Sequence, residues 1–174
     1  MRLLIYGFGP YRGFHENITE KIVRKFPKRR WVKKLIFAVR FNRSQFISAV
    51  KNHKPDVILG LGQCSKGRLL RIESRAVNRK RNNRTGKAKP ILQAGSPRLV
   101  TNLKLNLGQQ SRSSDDAGDY VCNYSMYVIL DFIKCDRLPI RYGFIHVPHR
   151  YDSRKATRIL LKAIEQIGST TQKR

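Results

Sequence analysis

Leu3-Leu4-Ile5-Tyr6-Gly7-Phe8-Gly9-Pro10-Tyr11 sets the architecture of this chain. The apolar run at 3–6 reads as a buried strand, and the glycines and proline at 7–10 force the backbone into a loop carrying Phe8, Tyr11 and Phe14. Ile18, Ile22, Val23 and Phe26 then recur at helical spacing, so a helix is predicted over residues 17–26. Asn17 is its N-cap, Glu20 the reciprocal partner and Pro27 the stop. The alternation continues with strands at 34–39 and 56–61 around an amphipathic helix bearing Phe46, Ile47 and Val50. Strands alternating with helices imply a mixed or parallel sheet covered on both faces.

Further along, Leu69-Leu70-Arg71-Ile72-Glu73 reads as a strand or hairpin arm, and Asn78–Lys89, basic and almost without apolar residues, as a long exposed loop. Residues 120–133 form a helix through Val121, Tyr124, Val128 and Phe132. Gly143-Phe144-Ile145-His146-Val147-Pro148 is a buried strand, and residues 153–167 carry a last helical stripe. The 174 residues suit one domain over 1–168, with a polar, frayed tail at 169–174.

Against 11 Asp+Glu stand 37 Lys+Arg, a formal charge of +26, which surrounds the molecule with positive potential. Nucleic acid or another acidic partner is the expectation, although excess charge also serves solubility. No run approaches the roughly 20 apolar residues of a membrane span, and the opening apolar run is too short for a signal-peptide core, so a cytoplasmic protein is expected. Cys64, Cys122 and Cys135 are odd in number and lack CxxC spacing, which argues against a disulfide framework or a zinc site.

Three side chains stand out chemically. Cys122, near a helix start, sits where the helix N-terminus lowers a thiol pKa, although Asp119 opposes the thiolate. His146 falls at the carboxyl end of a strand, where open α/β sheets place functional groups. Glu73 is a lone acid among arginines. On the residues alone each has a second reading: a small core cysteine, a satisfied buried histidine, an ordinary salt-bridge partner.

Taken together, these segments resemble the pyroglutamyl peptidase I (pyrrolidone-carboxylate peptidase) family. Residues 4–11 are similar to its first strand and Gly-Phe-x-Pro-Phe turn, and Ile72-Glu73-Ser74-Arg75-Ala76-Val77-Asn78 to its Glu-x-x-Ala-x-Asn signature. Ser114-Asp115-Asp116-Ala117-Gly118-Asp119-Tyr120-Val121-Cys122-Asn123-Tyr124 and the strand ending at His146-Val147-Pro148 follow in family order. The resemblance implies a single-domain three-layer α/β/α sandwich with a mixed central sheet. In it a Cys122, His146, Glu73 triad releases N-terminal pyroglutamate from peptides without metal or cofactor. Phe8, Tyr11 and Gln63 map to the substrate pocket. The resemblance also implies a homo-oligomer, which the positive surface opposes.

Three departures accompany it. Region 103–117 lacks a helix and replaces an apolar strand with Gly108-Gln109-Gln110-Ser111-Arg112-Ser113. The loop after Asn78 lacks the family's Pro-Asp-Asn-x-Gly pattern, leaving Arg81, Arg84 and Gly86 without counterparts, and Arg12 stands where glycine is common. The altered loops and the charge favour an alternative, a weak or inactive family member that binds a polyanion.

Overall fold

A computed structural model of the protein describes residues 1–11, 13–82 and 86–171. Arg12 and Arg84 lie outside the described residues, as do 172–174 of the tail. The central sheet contains β1 (Leu3–Phe8), β2 (Val32–Phe37), β3 (Val57–Cys64), β4 (Leu70–Glu73), β7 (Ser111–Ser114) and β8 (Arg141–Pro148), in the order β2-β1-β3-β8-β4-β7. β5 (Arg75–Val77) and β6 (Arg98–Val100) pair separately as an antiparallel ribbon. Strands β2, β1, β3 and β8 are parallel, β4 runs against β8, and β7 is parallel to β4. The sheet is mixed, as expected.

Alternation along the strands divides the core in two. Leu4, Tyr6 and Phe8 of β1, with Tyr142 and Phe144 of β8, face α2 (Arg43–His53) and α3 (Val121–Cys135). Leu3, Ile5, Ile145 and Val147 face α1 (Ile18–Lys25) and α4 (Ser153–Thr171). Two helices on each face make the three layers. The Asn17 side chain does cap α1, accepting from the Thr19 backbone N–H at 3.0 Å, but Glu20 turns to Arg24 and is not its reciprocal partner.

Several boundaries differ from the sequence reading. β2 starts two residues earlier than 34, because its register with β1 begins at Leu3 and Val32 and an edge strand tolerates the exposed Lys33. β3 continues through Gly62-Gln63-Cys64 instead of turning, since β8 stays paired with it as far as Pro148. Residues 111–114, read as a lost strand, form β7: being a sheet edge paired only to β4, it needs no apolar alternation. The two described ends of the 78–89 stretch are tethered, with the Asn78 side chain bonded to Ile91, Leu92 and Gly95 backbone and Lys80 bridging Lys89. No breaker stronger than Gly168 follows Ile167, and α4 runs on to Thr171 where a frayed tail was expected.

Candidate active site

The carboxyl ends of β1, β3 and β8 converge beneath the amino end of α3, and a cavity of about 290 Å³ opens there. Its walls include five of the six predicted site residues: Phe8, Tyr11, Gln63, Cys122 and His146. Glu73, the sixth, lies behind His146 with no solvent exposure and places Oε1 2.7 Å from His146 Nδ1. That contact orients the ring, leaving Nε2 as the other nitrogen. Arg71 Nε stands 3.6 Å from the same Glu73 oxygen, a cation next to a carboxylate that burial would otherwise penalise.

Close approach of sheet and helix brings Cys122 to His146. Ile58, Gly60, Gly62 and Cys64 alternate on the β3 face toward α3. A Cβ built on Gly62 would lie 2.7 Å from Cys122 Sγ and 2.9 Å from His146 Cδ2, so both groups crowd a space only glycine leaves open. Cys122 is the second residue of α3, whose N-cap, Tyr120, offers no side-chain cap. The first-turn N–H groups, without intrahelical acceptors by construction, therefore keep their donor capacity beside the thiol. Below, Ser125 Oγ donates to the Cys122 carbonyl at 2.8 Å and meets Tyr6 OH at 3.1 Å, and Tyr6 OH meets Tyr142 OH at 2.7 Å.

The electrostatics differ from the sequence expectation of a lowered thiol pKa. Burial, then the neighbouring Cys64 and Glu73, push the Cys122 thiol up to about 12, with Arg71 opposing. A thiol raised this far holds its proton at neutral pH unless a base takes it. Asp119, expected to work against a thiolate, is neutralised by Arg81, whose Nε donates to its carboxylate at 2.8 Å. Gln63 Oε1 accepts the Ile18 N–H at 2.9 Å, while its buried Nε2 has no partner. Among the described residues no group of three His, Cys, Asp or Glu side chains is placed to hold a metal ion.

A family model for pyroglutamyl peptidase matches residues 1–157. The chain belongs to the pyroglutamyl peptidase family. These are cysteine peptidases that remove N-terminal pyroglutamate. Among similar curated proteins, the pyrrolidone-carboxylate peptidase of Thermosipho africanus is 30% identical over 169 residues, covering 86% of this chain and 82% of its own. That of Thermococcus litoralis is 27% identical, covering 87% and 78%. The solved pyrrolidone carboxyl peptidase of Thermococcus litoralis superposes with a TM-score of 0.76 at 26% identity, covering 84% of this chain and 76% of its own. Pyroglutamyl peptidase I of Bacillus amyloliquefaciens, at 24% identity and a TM-score of 0.79, shares the fold over 93% and 92%. The binding-only alternative gains no support from these comparisons.

Sequence reasoning named Asn17 and the 117–121 segment without placing them in the pocket wall, and it missed the parts played by Gly62, Arg71, Arg81 and Ser125. Only the Gly60-Leu61-Gly62 spacing, which strips side chains from one strand face, offered a signal.

Proposed function

We propose that this pyroglutamyl peptidase family member uses Cys122 as nucleophile, His146 as general base and then acid, and Glu73 to hold the imidazole. The observation carrying the assignment is the 2.7 Å Glu73–His146 contact, with Cys122 Sγ and His146 both pressed against Gly62 in one cavity. His146 Nε2 takes the thiol proton as Sγ bonds to the carbonyl carbon linking pyroglutamate to the next residue. The oxyanion is met by N–H groups of the first turn of α3. The C–N bond breaks as His146 returns the proton to the leaving amine. Water, deprotonated by His146, then cleaves the thioester, releasing pyroglutamate and restoring the thiol.

The lactam ring is small and uncharged, which suits Phe8 and Tyr11 as walls and the unpartnered Gln63 Nε2 as donor to its carbonyl. Turnover of pyroglutamyl and prolyl aminomethylcoumarin tests this. The first is cleaved, and the second, lacking the ring carbonyl, is not. Equal cleavage of both would remove Gln63 from recognition.

A second reading concerns the surface. Lys28, Arg29, Arg30 and Lys33 are exposed and form no ion pair among the described residues. They lie where β2 begins, at the opposite end of the sheet from the cavity, and supply a polyanion-binding patch. In a second basic run, Arg79, Lys80 and Arg81, Lys80 sits over the Phe41 and Tyr124 rings and Arg81 pairs with Asp119, which leaves Arg79 as the exposed one of the three. Phe26 is buried and Trp31 packs on the core, leaving neither as a free stacking ring. No helix of the described residues is long and apolar enough to cross a membrane. A cytoplasmic setting, where thiols stay reduced, suits the three free cysteines.

A further inference from the structure

The catalytic cavity continues past His146. An open groove of about 640 Å³ runs along the ends of β3 and β8, and Ser65 lines both spaces. It begins where Cys64 and Pro148, paired in register, end their strands, two residues beyond His146. Arg68, Arg150 and Lys155, all exposed, project around it, with His149 on its wall. Asp152 is its carboxylate, and that group is engaged by the Lys155 backbone N–H at 2.7 Å, at the start of α4. Three permanent cations thus face one acid, and none of the three forms an ion pair among the described residues.

Chemistry fixes which part of a substrate reaches this groove. The ring of pyroglutamate belongs among Phe8, Tyr11 and Gln63, and the scissile carbonyl belongs at Cys122. The leaving amine has to meet His146 to receive its proton, so the peptide beyond the cut continues past His146. We propose that the Arg68, Arg150, Lys155 groove binds the leaving segment and selects pyroglutamyl peptides with acidic residues just after the pyroglutamate. This rests on the peptidase reading of the same site. Carboxylates there gain charge-assisted contacts from arginine forks, and positive potential at the cavity mouth speeds their encounter.

The test compares wild-type kcat/KM for pyroglutamyl-Glu-Glu-Ala-amide and pyroglutamyl-Lys-Lys-Ala-amide, with pyroglutamyl aminomethylcoumarin as a substrate that carries no charge into the groove. The acidic peptide is expected to be preferred by about tenfold or more at low salt, chiefly through KM, with the preference shrinking near 0.5 M salt. The Arg68→Glu/Arg150→Glu double variant, both at exposed positions, is expected to reverse the order, and Arg150→Gln/Lys155→Gln to flatten it. Equal kcat/KM for the two peptides, with the coumarin substrate still cleaved, overturns the groove assignment and leaves the peptidase reading intact. Cleavage of none of the three defeats the peptidase reading itself. Equal inhibition of both peptides by a single-stranded oligonucleotide, with no preference between them, assigns the cations to nucleic acid and overturns the proposal.

Discussion

At position 62 a single methyl group would meet sulfur, imidazole and the Phe144 ring, the last at 2.8 Å. Gly62→Ala is therefore expected to push Cys122 and His146 apart and lower kcat by about 10²-fold, since misplacing reacting groups by an ångström costs that much. Steady-state kinetics would check this, and a kcat within a few-fold of wild type would show that the neighbours yield freely. Glu73→Gln keeps an oxygen that can accept from His146 Nδ1 but loses the charge that stabilises the imidazolium. A loss of roughly 10²–10⁴-fold, smaller than for Cys122→Ala, is expected from rate measurements on the purified variant. The thiol pKa gives a further expectation. With Cys122 pushed up to about 12, its thiolate fraction rises with pH throughout the neutral and mildly alkaline range. Iodoacetamide labelling of Cys122 should climb about tenfold per pH unit from pH 7 to 10, without a neutral plateau. Exposed Cys135 should be labelled first. This departs from the lowered thiol pKa read from the helix-start position alone, because burial outweighs the helix terminus. A plateau near neutral pH, seen by mass spectrometry of the labelled peptide, would instead indicate a thiolate–imidazolium pair.

One side chain of α3 fastens the short β5–β6 ribbon by hydrogen bonds, beside the core contacts of Ala76 and Leu99. Asn123, buried next to Cys122 in sequence, accepts from the Val77 N–H and donates to the Val77 and Arg79 carbonyls, all at 2.8–2.9 Å. Asn123→Ala takes this partner from the Val77 N–H and the Arg79 carbonyl, the Val77 carbonyl keeping the Arg79 N–H at 2.7 Å, and should cost about 2–4 kcal/mol, measurable by urea unfolding. A loss below about 0.5 kcal/mol would mean that water replaces the amide. Such dependence explains what the sequence did and did not disclose about the elements. The apolar blocks of β1, β3 and β8 and the stripes of α1, α3 and α4 carry their period in their own residues, and they were legible. β7 was not, because Ser111-Arg112-Ser113-Ser114 is a strand only by virtue of its neighbour β4. β6 escaped for the same reason, having Leu99 as its one buried residue. In the site, Cys122, His146, Glu73, Phe8, Tyr11 and Gln63 could be named because they sit in recognisable motifs. Arg81 and Arg71 acquire their roles only from chain segments that folding brings together, and nothing local marks them, while Gly62 is marked only by its spacing from Gly60.

For the molecule as a whole, the Lys28, Arg29, Arg30 and Lys33 cluster and the cavity lie at opposite ends of the sheet. Lys28, Arg29 and Arg30 lie at the amino end of the sheet, so reversing their charge should weaken binding of a fluorescent oligonucleotide and flatten its salt dependence. Peptidase turnover should persist in that variant, because the cavity opens at the other end. Unchanged binding would move the polyanion surface elsewhere. The three-layer frame holds α3 tightly against β3 and β8, so that one helix turn and two strand ends meet at a single small cavity. That meeting is the central claim, and turnover of pyroglutamyl aminomethylcoumarin by the wild-type protein alongside Cys122→Ala and His146→Ala tests it most directly. The account predicts coumarin release by the wild type and, from both folded variants, a comparable loss to near the uncatalysed rate, because the two groups act in one covalent step. A wild type that releases no coumarin, or a Cys122→Ala variant that releases it at a near-normal rate, would contradict it.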